Sequence, residues 1–177
     1  ASYLSPNVNI SARLKEATKQ YGVYLLISGE LYSLCSNSIK NICRLIDKVE
    51  VKGSKQPIEL YTVDVNIHNL PKDNSIKLSS AKKRYEKFIK VKRQIHLLAK
   101  NKGGIVEYTL NSKGFKSLLK IKRHSDFLLH FNKGILSYLE GDWIKAEEEL
   151  SICKDMDPND GPTKNIYTYI KNYNFNS

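Results

Sequence analysis

The feature that most constrains this sequence is the placement of its positive charge. The 177 residues carry a formal +11, but residues 67–125 alone hold 16 basic and 3 acidic side chains, net +13. Residues 1–66 hold 8 and 6, and residues 126–177 hold 5 and 9. The excess therefore sits in one block with a compositional boundary on each side, giving three segments: 1–66, 67–125 and 126–177. The 41% hydrophobic content is enough for a packed core and argues against a wholly disordered chain. The longest apolar run, Val23 to Ile27, falls far short of the ~20 residues of a membrane span. No basic-then-apolar leader opens the sequence, so no secretory signal is expected. Cys35, Cys43 and Cys153 show no Cys-x-x-Cys spacing. That argues against a disulfide scaffold or a zinc knuckle and for a reducing, cytosolic compartment.

In the first segment, Ser5-Pro6-Asn7 is a helix-start signal, and Val8, Ala12, Leu14 and Ala17 fall roughly on one helical face. Gly22 is expected to end that helix. Val23–Ser28 reads as a short buried strand and Gly29–Cys35 as a short helix. Leu45–Val51 and Pro57–Val65 alternate on either side of Lys52-Gly53-Ser54-Lys55, a hairpin pattern. The order helix, strand, helix, strand, strand suits an α+β sandwich.

These residues carry a resemblance. Val8-Asn9-Ile10-Ser11-Ala12-Arg13-Leu14, then Ala17 to Gly22, then Leu26-Ile27-Ser28, resemble the C-terminal half of a class III adenylate/guanylate cyclase catalytic domain. Asp47 to Gly53 and Ile58-Glu59-Leu60-Tyr61 are similar to the hairpin closing that domain, and the opening Tyr3 to Asn9 resembles its ciliate and protist versions. The resemblance implies a partial ferredoxin-like cyclase domain over residues 1–66. It also implies conversion of ATP to cyclic AMP and pyrophosphate, by attack of the ribose 3′-oxygen on the α-phosphorus.

That chemistry piles negative charge on phosphoryl oxygens, which fixed donors must meet. By the resemblance, Asn9 orients the ribose and Arg13, one turn later, stabilises the α-phosphate. Lys52, beside Gly53, holds the terminal phosphates as a point charge. Ser2 falls where the family places a base-selecting side chain, and a hydroxyl there accompanies adenine. The family uses Mg²⁺ held by two aspartates of the first half-domain. Asp47 and Asp64, the aspartates of the first segment, fall in or beside the hairpin instead. No metal ligand is therefore assigned in this chain, and it is expected to be inactive alone, needing a second cyclase domain or protein partners. The rival expectation is a non-catalytic, cyclase-derived structural subunit of a larger ciliary or microtubule-associated assembly.

In the middle segment, Asn66–Ser80 reads as a linker. Tyr85, Phe88, Ile89, Val91, Ile95 and Leu98 give residues 79–100 an amphipathic helical period, with lysines and arginines on the other face. Ile105–Leu110 reads as a short strand and Phe115–Ile121 as a short helix. Four roles are open to this basic block: a solvated face, docking of residues 79–123 on an acidic protein surface, an anionic membrane surface, or nucleic acid. The first two are favoured, since aromatics are not interleaved with the charges as a stacking platform requires.

In the last segment, Gly134, Gly141-Asp142-Trp143, Ala146, Leu150, Cys153 and Pro158 match the intervals of a tetratricopeptide helix pair. Asn159-Asp160-Gly161-Pro162 starts a third helix. This tail also resembles the Gly-Asp-Trp, Ala and Asp-Gly-Pro arrangement ending many protist cyclases. The four histidines share no metal-ligand spacing, and Gly-x-Ser-x-Gly is absent. The implied location is cytoplasmic, in a cilium or axoneme or at the cytoplasmic face of a membrane as part of a larger protein.

Overall fold

A computed structural model describes residues 6–51, 54, 56–66, 81–100, 104–119 and 125–174. The fold is α+β, with a three-stranded antiparallel sheet and a majority of helix. The chain divides into two units, residues 1–64 together with 122–177, and residues 65–121. The first and last segments, remote in sequence, thus fold together.

The larger unit begins with α1 (Pro6–Tyr21). Leu14, Ala17 and Tyr21 turn inward, whereas Val8 remains 52% exposed. Gly22 ends the helix at φ 61°. Its N–H bonds Lys19 O and that of Val23 bonds Thr18 O, a Schellman closure that only a residue free of Cβ strain makes cheaply. The strand expected over Val23–Ser28 contracts to β1 (Ile27–Ser28), because Tyr24 and Leu25 face solvent at 63% and 47% exposure. Two short helices, α2 (Gly29–Leu34) and α3 (Asn37–Lys40), lead to the hairpin of β2 (Cys43–Val49) and β3 (Ile58–Val63). β3 is central and antiparallel to both neighbours, and a bulge between Leu45 and Asp47 leaves Ile46 as an extra, wholly buried residue.

The tail adds α7 (Ser125–Glu140), α8 (Trp143–Met156) and α9 (Gly161–Asn174). The helix pair follows its spacing closely. Gly134 lets α8 approach so near that a Cβ there would lie 2.8 Å from Leu150 Cγ. Asp142 caps α8 by accepting from Lys145 N, and Pro158 follows the helix end. Phe131, Ile135, Ala146, Leu150, Cys153, Ile166 and Ile170 join Ile46 and Leu60 of the sheet in one core. At about 1.5–3 kcal/mol for each large apolar side chain removed from water, that shared core is the main source of cohesion.

The smaller unit comprises α4 (Ala81–Lys100), α5 (Ile105–Asn111) and α6 (Lys113–Leu118). The strand expected over Ile105–Leu110 is a helix. The β-branched and aromatic residues there favour a strand only weakly, and α5 packs along α4 instead. Lys113 and Gly114 begin the next helix earlier than expected, after Ser112 accepts from Phe115 N.

Candidate functional site

Two places in the larger unit invite chemistry: the α1 surface bearing Asn9 and Arg13, and a cleft beside it. Asn9 and Arg13 are one turn apart on α1, on one face, and both are exposed. The cleft, about 780 Å³, takes a different face of α1, through Ser11, Lys15 and Thr18. Each helical residue turns the chain by about 100°, so Ser11 and Lys15 stand nearly opposite Asn9 and Arg13. The two residues brought together by the helix are therefore aimed away from the cleft. Lys52 and Ser2 lie outside the described residues.

The far wall of the cleft includes Glu30 of α2 and the cross-strand pair Lys48 and Glu59 of the hairpin. Lys15, Glu30, Lys48 and Glu59 were not singled out by the sequence. The usable signal was the hairpin register, which sets Lys48 opposite Glu59. On that same sheet face Tyr61 donates its hydroxyl to Glu59 and stacks on Tyr32 of α2 at 3.9 Å between centroids. Burial, followed by Glu59, pushes the Tyr61 hydroxyl up to about 12, so it remains a donor at neutral pH.

The aspartates of the first segment are committed elsewhere. Asp47 accepts from the Tyr21 hydroxyl and from Lys48 N. Burial pushes the Asp47 carboxyl above the usual carboxylate range against those two hydrogen bonds. Burial and this carboxylate likewise push the Tyr21 hydroxyl up. Asp64 accepts from Arg44 Nη2 at 2.8 Å. Among the described residues no group of three or more His, Cys, Asp and Glu side chains converges as a metal site. Asp47 and Asp64 are thus already engaged by Tyr21 and Arg44, which does not fit the carboxylate pair that Mg²⁺ needs in the cyclase resemblance, and no step runs through it. His130 does meet a carboxylate, Glu149 of the facing helix at 2.5 Å, with no third ligand-type side chain joining them among the described residues.

The most constrained polar cluster is a brace. Arg44 of β2, 4% exposed, bonds Asp160 at 3.0 and 3.2 Å as well as Asp64. Its guanidinium lies over the Phe131 ring, 4.2 Å from the centroid, within cation–π range. Burial opposes its charge, but Asp160 and Asp64 more than offset this and raise its pKa. Asp160 also accepts from the N–H and hydroxyl of Thr163, so one carboxylate caps α9 and anchors it to the sheet. Nε of Arg44 is buried without a partner, a cost that a sealed structural site tolerates and a reactive one would exploit only with access. Next to this brace, Gly161 touches the end of α1, where a Cβ would run into Tyr21 O.

No family model, curated protein or solved structure matches this chain. Among the described residues no helix is long and apolar enough to cross a membrane.

Proposed function

We propose that this chain contributes the ribose- and phosphate-facing half of a class III nucleotidyl cyclase site, adenylyl by the position of Ser2, to an assembly whose other half holds the metal ions. The supporting observation is the exposed Asn9–Arg13 face of α1, polar, outward and clear of the chain's own cleft. A site shared between two domains needs such a face, because its donors must reach substrate lying outside their own core. Arg13 would meet the charge developing on the α-phosphoryl oxygens, and Asn9 would fix the ribose so that the 3′-oxygen lies in line.

The test is cyclic nucleotide formation from ATP by the native protein or complex and by the isolated 177-residue chain. The isolated chain is expected to be inactive. The native form is expected to be active, and Arg13→Ala in it should lower kcat by about 10²–10³-fold, the usual cost of removing a transition-state anion donor. Unchanged activity in Arg13→Ala would refute the assignment.

A second reading, a structural subunit descended from a cyclase, is favoured by the Arg44–Asp160 brace, which ties tail to sheet with both side chains buried. It predicts that the native assembly forms no cyclic nucleotide at all. The location, in cytoplasm, cilium or at a membrane face, belongs with whichever reading survives.

A further inference from the structure

On the sheet face opposite the brace, two thiols are brought towards each other. Residues directly opposed in an antiparallel pair project to the same face. The register Cys43↔Val63 and Leu45↔Tyr61 thus sets Cys43 on the face of Tyr61. Tyr32 of α2 stacks on that same Tyr61, which fixes α2 over this face. Cys35 is the extended residue that closes the C-terminal end of α2, and its N–H bonds Tyr32 O at 3.1 Å, which ties it to the residue stacked on the sheet. Both cysteines are partly exposed and neither is in a disulfide. Electrostatics agrees with this placement, since the Cys43 thiol is pushed up by burial and then by Cys35. The Cys35 thiol makes only a weak bond, to Leu31 O at 3.3 Å. Cys153, in contrast, is wholly buried in the tail core.

We infer that Cys35 and Cys43 form a peroxide-responsive dithiol, which closes into a disulfide clamping α2 to β2. One thiolate attacks hydrogen peroxide, taking an oxygen to become a sulfenic acid and releasing hydroxide. The second thiolate then attacks the sulfenic sulfur and expels a second hydroxide. With the two thiol protons the balance is two thiols plus H₂O₂ to one disulfide plus two waters. The clamp fixes α2, whose Glu30 and Leu31 form part of the cleft wall. The inference does not depend on the cyclase reading.

Oxidation of the folded chain with one equivalent of H₂O₂, then alkylation in denaturant and tryptic mapping without reductant, tests this directly. Cleavage after Lys19, Lys40 and Arg44 separates the cysteines onto peptides 20–40 and 41–44. The expected product is those two peptides linked, with free thiols falling from three to one per chain, Cys153 remaining. Peptides recovered unlinked, whether as thiols or as sulfinic acids, or a link to Cys153, overturn it. In concentrated urea only the spacing along the chain keeps the sulfurs near each other. The link should then form more slowly, and an equal rate would show that the fold contributes nothing.

Discussion

The tail helices α7 and α9 and the basic helix α4 carry similar apolar periodicities, yet they meet opposite fates. In the tail, Phe131, Ile135, Leu150, Ile166 and Ile170 are all 0–1% exposed. On α4, Tyr85, Phe88 and Leu97 are 60–66% exposed, and Ala99 is the one residue described as buried in that unit. The difference lies in partners. The tail stripe finds a second helix through Gly134 and a sheet through Arg44, whereas the α4 stripe, among the described residues, packs chiefly along the short helix α5. An amphipathic pattern specifies a face that can be buried; the depth of burial depends on what the rest of the chain brings to it.

The strongest way to break this contrast is to remove the brace. Asp160→Ala strips the buried Arg44 of its main partner and α9 of its cap, and should cost about 3–5 kcal/mol. Urea unfolding followed by far-UV circular dichroism would show it, and a loss below 1 kcal/mol would mean that the brace is incidental. Phe131→Ala, which removes a wholly buried ring and the surface under Arg44, should cost a similar ~3–5 kcal/mol. Next comes Gly134→Ala, where the added methyl presses on Leu150; overpacking of about 1–3 kcal/mol is expected, and a neutral result would show that α7 and α8 can separate freely.

A smaller effect concerns pH. Asp47 has a folded pKa raised by burial, so between its unfolded and folded values the native state binds more protons than the unfolded state. Stability from this group is then fully present below the unfolded value near 3.8 and is lost as pH rises through the raised folded value. Asp47→Asn should accordingly raise the melting temperature at pH 7 and flatten that part of the pH profile; a lower melting temperature with an unchanged profile would contradict the assignment. The smallest effect is expected from Phe88→Ala on α4, within about 0.5 kcal/mol as for other surface substitutions. A loss comparable to that of Phe131→Ala would erase the contrast between the regions.

Much of the tail was legible in advance because a helix pair is a local object. Gly134, Gly141-Asp142, Ala146, Leu150 and Pro158 each act within their own hairpin. The β2–β3 hairpin was legible for the same reason. What links these pieces was not. Arg44 and Asp160 are 116 residues apart, and nothing in the spacing of Asp160 marks it as more than the start of a helix. The Tyr21–Asp47 bond is hidden in the same way. Ile105–Leu110 misled because propensity outweighed context, and Val23–Leu26 because an apolar run carries no record of which residues will meet solvent. For the site, helical spacing correctly put Asn9 and Arg13 on one face. The cleft, drawn from α1, α2 and two strands, has no local signature.

The central structural claim is that segments 1–64 and 122–177 form one cooperative unit fastened through Arg44 and Asp160, apart from the basic block. Native-state hydrogen exchange on the intact chain and on Asp160→Asn addresses it most directly. Residues 43–49 of the sheet and 161–170 of α9 should lose protection together and by the same free energy, with residues 81–100 unaffected. Loosening confined to α9, with the sheet as protected as before, would contradict it.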